Sequence, residues 1–217
     1  MADIGWGWLA SMESYGALGD TFADYKTLTE EEIASKKYSS LRHAAHGMIF
    51  ARKNKLLWDL YDMLGLVMMQ MRFDGVLGFP GGLVDEGETP VEAVNREMKE
   101  EICLDLDKYS FSEDHCISIQ LNEKKGLVLY FYQMEVSCED FVAMEHNIIN
   151  APDFGVETLG VLRVPLYTMG DGRRGFPAFL DNQFAGNAKY QLIHGLKTAK
   201  LLSDEQISKA VNSCSQK

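Results

Sequence analysis

Long apolar runs, paired cysteines and an excess of basic charge are all scarce in this 217-residue sequence. The longest apolar stretch, Leu64 to Met69, falls far short of the roughly 20 residues that a bilayer-spanning helix needs, so no membrane span is expected. The four cysteines, Cys103, Cys116, Cys138 and Cys214, are irregularly spaced and make no CxxC pair. That pattern suggests neither a zinc site nor a disulfide framework, and fits a reducing compartment. Lysine and arginine number 21 against 32 acidic residues, a formal charge of −11. A broad basic surface that holds nucleic acid by counterion release is thereby excluded, and a polyanionic substrate has to be gripped locally. The first residues carry Asp3 and no basic residue before a short apolar patch, so a secretory leader is not expected and the protein is read as soluble and not exported.

What is present is enough apolar material for one substantial core, 46% hydrophobic and 11% aromatic. Residues 1–38 mix Trp6, Trp8, Tyr15, Phe22 and Tyr25 with glycines and acids without a sustained period. They are read as an N-terminal appendage, in part disordered, with one short helix from Glu30 to Lys37 opened by a Thr29/Glu32 capping box. Residues 39–217 are read as one domain without repeats. His43 to Ala51 and Leu64 to Arg72 should be strands with the charged Arg52 to Lys55 between them, and the second, apolar on both faces, should be central. Gly126 to Val136 is a further strand by propensity, Glu139 to Ile149 a helix, and Thr158 to Tyr167 a strand ended by Pro165. Asn187 to Leu202 has helical spacing, and Ser203 with Gln206 caps a last helix. The sum is a sheet sandwiched by helices.

Between these elements lies the segment that carries chemistry. Gly78-Phe79-Pro80-Gly81-Gly82 should make a tight turn with exposed backbone groups. Thr89, Pro90 and Glu92 are an N-cap, a first-turn proline and a capping-box partner, which predicts a helix from Pro90 to about Cys103. On it Val91, Val94, Met98 and Ile102 form one stripe that should pack on the sheet. Glu97, Glu100 and Glu101 gather on another side, although like charges at that spacing repel by roughly 0.2–0.5 kcal/mol per pair. A solvated acidic face is one explanation. A hard divalent cation, for which carboxylates and backbone carbonyls are preferred ligands, is the other.

Taken whole, Gly82, five residues, Glu88, seven residues, Arg96-Glu97-Met98-Lys99-Glu100-Glu101 and the apolar Leu104 resemble the Nudix box, G-x5-E-x7-R-E-U-x-E-E-x-G-U with U apolar. The one departure is Cys103, where the family usually has glycine; its expected cost is a less relaxed helix end, and an inert thiol is a plainer expectation there than a redox role. The resemblance implies an α/β Nudix fold, a mixed β-sheet between helices (α-β-α), and a hydrolase that cuts a pyrophosphate link attached to a nucleoside with Mg²⁺ or Mn²⁺. It also implies Glu97 and Glu101 as main metal ligands, Glu100 as a ligand or catalytic base, and Gly81 as a backbone-carbonyl ligand. Gly82, Glu88 and Arg96 would be structural, Arg96 pairing with Glu88 to orient the acidic row.

A closer resemblance rests on Leu41-Arg42-His43-Ala44-Ala45-His46, Met69-Gln70-Met71-Arg72-Phe73-Asp74-Gly75, Leu77 to Gly82, Arg163-Val164-Pro165-Leu166-Tyr167-Thr168 and Phe179-Leu180-Asp181-Asn182. Together they are similar to the U8 snoRNA-decapping Nudix hydrolases, which also hydrolyse inosine diphosphate and related purine nucleotides, over about residues 41 to 203. This implies purine nucleoside diphosphates and the 5′ end of capped RNA, snoRNA or mRNA, as substrates, with RNA binding, a homodimer, and residence in nucleolus, nucleoplasm and cytoplasm. It places a base pocket on His46, Arg72, Phe79 and Gln191, and a histidine near the metals on His115. Plainer alternatives stand beside these: a satisfied strand-end histidine, a surface charge, core packing and an exposed helix residue. Arg173-Arg174 and Lys124-Lys125 are the visible basic pairs. An adaptor like the relative syndesmos, or a hydrolase of another substrate such as ADP-ribose, are the competing functions, and retention of Glu97, Glu100 and Glu101 favours activity.

Overall fold

Two long strands form the spine of the protein, and their alternation decides what each face buries. In the computed structural model, which describes residues 20–214, β1 spans Lys26–Thr27, β2 Arg42–Leu57 and β3 Tyr61–Arg72. Short strands β4 (Leu77–Gly78) and β5 (Gly81–Leu83) follow, then β6 (Cys116–Asn122), β7 (Leu127–Glu135) and β8 (Thr158–Arg163). The α-helices are α1 (Glu30–Ala34), α2 (Pro90–Ile102), α3 (Cys138–Asn147), α4 (Phe176–Phe179), α5 (Ala188–Thr198) and α6 (Asp204–Cys214). The sheet runs β1-β6-β7-β2-β3-β4, with β5 on β2 and β8 on β3. The β2–β7 pair is parallel and the other named pairs are antiparallel, so the sheet is mixed.

Ala45, Ile49 and Ala51 of β2 and Leu66 and Met68 of β3 point to one side, where they meet Ala93, Val94, Met98 and Ile102 of α2 and Phe141 of α3. Met48, Phe50, Val67 and Met69 point to the other, against Leu192 and Leu196 of α5 and Ile207 of α6. β3 is therefore apolar on both faces and central, and the architecture is the expected α-β-α sandwich. Met98 and Ile102, fully buried, contribute about 1.5–3 kcal/mol each by removal from water.

Several boundaries differ from the sequence expectation. Arg52 to Lys55 are not a connection: β2 continues through them to Leu57, and the chain reverses at Trp58 and Asp59, whose φ angles are 54° and 56°. The pairing register shifts between Arg52 and Lys55, and both side chains are exposed, so charge costs little in this arm. α5 stops at Thr198 instead of Leu202, because Lys200 turns left-handed (φ 53°) and the Leu201 N–H reaches back to the Leu196 carbonyl at 3.0 Å. β8 ends at Arg163, and β6 had not been expected at all.

Trp6, Trp8 and Tyr15 lie outside the described residues. From Asp20 to Tyr38 the chain lies on the sheet: β1 pairs with β6, Thr27 opposite Gln120, and Tyr25 and Leu28 are buried. The Thr29/Glu32 capping box is present, although α1 closes at Ala34, ahead of Lys36 at φ 53°.

Candidate functional site

α2 begins as its sequence dictates. Thr89 Oγ1 accepts the Glu92 N–H at 3.2 Å, the Glu92 carboxylate accepts the Thr89 N–H at 2.8 Å, and Pro90 fills the first turn. It ends on Cys103 in the left-handed conformation (φ 55°, ψ 40°), with the Leu104 N–H donating to the Met98 carbonyl at 3.1 Å. Cys103 thus does the work of the usual glycine, at a cost of about 1–2 kcal/mol.

The loop from Gly78 to Gly81 is buried, contrary to the expectation of exposed backbone. β2 is what covers it: the Gly47 N–H donates to the Pro80 carbonyl at 3.0 Å, and Gly81 stands opposite His46. A Cβ on Gly81 (φ 140°) would stand 2.2 Å from the Ala45 carbonyl oxygen, so only glycine fits. A Cβ on Gly82 would stand 2.5 Å from Glu97 Oε1, which makes the missing side chain the space that the Glu97 carboxylate uses.

Arg96 organises the acidic row. Its Nε and Nη2 donate to the two Glu88 oxygens at 3.0 and 3.1 Å, its Nη1 to Glu97 at 2.8 Å and Glu100 at 3.0 Å, and its Nη2 also to the Leu83 carbonyl at 3.0 Å. Glu101, only 3% exposed, accepts the Gly81 N–H at 2.6 Å and Gln70 Nε2 at 2.9 Å. Gln70 is fixed in turn by Thr158 Oγ1, which donates to its Oε1 at 2.8 Å.

Burial pushes the Glu97 carboxyl up to about 7, against the opposing pull of Arg96 and with added repulsion from Glu100 and Glu157. Burial likewise pushes Glu101 up to about 8, with Gln70 and Gly81 opposing and Glu97 and Glu157 adding. Two enclosed carboxylates with a third beside them are a donor set that suits a hard divalent cation. Among the described residues no three His, Cys, Asp or Glu side chains converge as a metal-holding group, and Arg96, Gln70 and the Gly81 N–H engage the oxygens of Glu97 and Glu101.

The residues expected at a base pocket lie on the other face of β2. His46 Nδ1 and Gln191 Nε2 are buried without a hydrogen-bond partner. Burial, and then the nearby Arg72 guanidinium, hold the His46 ring well down at about 4, so it is neutral at physiological pH. Gln191 is 2% exposed, facing inward from α5 and not an outer-surface residue. Arg72 forks onto Asp74 at 3.0–3.3 Å. The Phe79 ring is core, 5.0 Å from the Phe131 ring. His115 Nδ1 accepts the Ser112 N–H at 2.9 Å, and its ring lies edge-on to Phe111. Of the basic pairs, Lys124 is tied to Asp24, Lys125 to Asp20 and Arg174 to Asp171.

Sequence reasoning missed Gln70, Thr158, Glu157, Gln120 and Asn187. For Gln70 a signal existed, since it is the one polar residue in the run from Leu64 to Met71.

A family model described as Nudt16-like, U8 snoRNA-decapping enzyme-like, matches residues 43–202. The chain is 47% identical over 178 residues to a U8 snoRNA-decapping enzyme of Homalodisca vitripennis, covering 82% of this chain and 95% of the relative. It is 38% identical over 188 residues to the Xenopus laevis protein of that name, covering 86% and 88%. It is also 36% identical over 199 residues to a Tudor-interacting repair regulator protein of Mus musculus, covering 91% and 92%.

Proposed function

The chain belongs to the U8 snoRNA-decapping enzyme-like family of Nudix hydrolases, and on that premise we propose that it is a divalent-metal-dependent pyrophosphohydrolase of purine nucleoside diphosphates, inosine diphosphate among them, and of the 5′ end of capped RNA. The observation that carries the proposal is the pair Glu97 and Glu101, 9% and 3% exposed, one helical turn apart with Glu100 beside them. Carboxylates are rarely enclosed together unless a counter-charge is to be shared.

Glu97 and Glu101 would hold Mg²⁺ or Mn²⁺, with Glu100 and the Gly81 carbonyl completing the protein's share. Bound there, the cation supplies neutralisation of the diphosphate charge and a water of lowered pKa. Arg96, anchored by Glu88, holds Glu97 and Glu100, while the Gly81 N–H and Gln70 hold Glu101. Glu100, the most open of the three side chains, would serve either as a further ligand or as the base that takes the proton of a water attacking phosphorus in line. No covalent enzyme intermediate is required. On the other face of β2, neutral His46 and Gln191 offer unpaired polar atoms to a purine, and Arg72 offers charge to phosphate or a base edge.

The likeness to the Tudor-interacting regulator favours a second reading, an adaptor without turnover. Against it stands the full acidic row with its Arg96 network. A side-by-side rate comparison on inosine diphosphate, ADP-ribose and capped RNA, with Mg²⁺ and Mn²⁺ in turn, separates the readings. Release of nucleoside monophosphate from the first and of monophosphate-ended RNA from the third is expected. Faster turnover of ADP-ribose would move the substrate assignment, and no turnover of any would leave the adaptor.

A further inference from the structure

Four buried side-chain polar atoms lack a hydrogen-bond partner among the described residues: His46 Nδ1, Gln191 Nε2, Gln120 Nε2 and Tyr132 Oη. Folded proteins leave few such groups unpaired, and each asks for a reason. Tyr132 lies on the α2 side of the sheet. The other three share the α5 side, and their placement follows from the strand register and from α5. Gln120 of β6 stands opposite Leu129 of β7, which stands beside Ala44 of β2, two residues from His46. Asn187, Gln191 and Gly195 recur at every fourth position of α5 and its cap, so they share one face of the helix. Gly195 rests on Met48 and Phe131, where a Cβ would come within 2.7 Å of the Met48 sulfur, and Asn187 reaches Gln120. Gln191 therefore lies between these two anchor points, above the strip of sheet that joins His46 to Gln120.

The Gln120–Asn187 contact has a direction. Asn187 Nδ2 donates to Gln120 Oε1 at 2.7 Å, with Gln120 1% and Asn187 6% exposed. The Gln120 oxygen is thus occupied, and what the side chain has left to offer is an NH₂, a donor with no acceptor. We propose that Gln120, held in this orientation by Asn187, reads the edge of a bound purine and selects a base that carries a carbonyl there over one that carries an amino group. Gln120 is a specificity-determining residue and Asn187 a positioning residue; both assignments rest on the purine reading above. A 6-oxopurine presents its oxygen to the NH₂, whereas a 6-aminopurine sets donor against donor and leaves both unpaired.

The test is calorimetric binding of inosine monophosphate and adenosine monophosphate, which carry no pyrophosphate link to cut, to the full chain without added metal. Wild type should bind inosine monophosphate at least about tenfold more tightly. Gln120→Glu keeps the shape and the bond from Asn187 but replaces the NH₂ by oxygen, and should lower that ratio by about tenfold or more. Asn187→Asp cannot donate, so Gln120 should turn its NH₂ to the new carboxylate and its oxygen to the base, moving the ratio the same way from a residue that touches no ligand. A merely structural role for Asn187 would weaken both ligands equally. Wild type that binds neither nucleotide would overturn the purine pocket and this inference together. Wild type that favours the 6-aminopurine, or folded variants that keep the wild-type ratio, would overturn the role of Gln120 and leave the pocket standing.

Discussion

The Gly81 N–H donates to Glu101 Oε2 at 2.6 Å, so the loop after β4 and the acidic row of α2 are held by one bond. Gly81 is also the place where a side chain has no room, with φ 140° and the Ala45 carbonyl 2.2 Å from a built Cβ. Gly81→Ala should therefore cost about 1–3 kcal/mol of stability, read as a lower urea midpoint at unchanged m-value. A midpoint equal to wild type would contradict the close approach of β5 to β2.

Arg96 makes five hydrogen bonds to Glu88, Glu97, Glu100 and the Leu83 carbonyl, more than a lysine can reproduce. Arg96→Lys should keep the charge and lose the fork, lowering kcat by about tenfold or more while the fold survives. Arg96→Ala should in addition destabilise by about 1–3 kcal/mol, since Glu88 and Glu97 lose their partner. Equal kcat for wild type and Arg96→Lys would show that the row aligns without it.

Arg72 is paired with Asp74 and lies close enough to His46 to depress its protonation. Arg72→Ala should raise KM on inosine diphosphate and on capped RNA alike, by about tenfold, as expected for one lost charge-assisted contact. Unchanged kinetics on both substrates would remove Arg72 from the pocket.

The raised carboxyls of Glu97 and Glu101 give a pH signature with a definite sign. Both hold protons more tightly folded than at their ordinary value of 4.5, rising to about 7 and about 8. Between those limits the folded state binds more protons than the unfolded one, so their contribution to stability falls as pH rises through the window. Metal-free protein should show a falling Tm from about pH 6.5 to about pH 8, above the range in which His46, held down at about 4, contributes a slope of opposite sign, and added Mg²⁺ or Mn²⁺ should raise Tm more at the alkaline end. A metal effect larger at the acid end would put the cation elsewhere.

Much of this site was legible in the sequence because its causes are local. Thr89, Pro90 and Glu92 start α2 through contacts three residues apart, and the acidic row is visible from helical spacing alone. β3 was legible because it is apolar on both faces. What escaped depends on distance along the chain. Thr158 meets Gln70 across 88 residues and Asn187 meets Gln120 across 67, and no spacing rule joins such pairs. β6 went unread although Ile117, Ile119 and Leu121 alternate with Ser118, Gln120 and Asn122, the period of a half-buried strand, so its signal was in the sequence. The glycines of Gly78 to Gly82 do make a turn, but its burial follows from Ala45 and Gly47 on a strand thirty-odd residues earlier.

The most direct test of metal-dependent pyrophosphate cleavage is turnover of inosine diphosphate and capped RNA by wild type and Glu101→Gln across a Mn²⁺ or Mg²⁺ titration. Glutamine keeps the shape of residue 101 and its acceptor for the Gly81 N–H, and gives up the charge and the oxygen that accepts from Gln70 Nε2. Wild type should be inactive without metal and active with it, while Glu101→Gln, folded as judged by an unchanged circular dichroism spectrum, should lose at least about a hundredfold in kcat at every metal concentration. Turnover by wild type in the absence of divalent metal, or near-wild-type turnover by Glu101→Gln, would contradict the account.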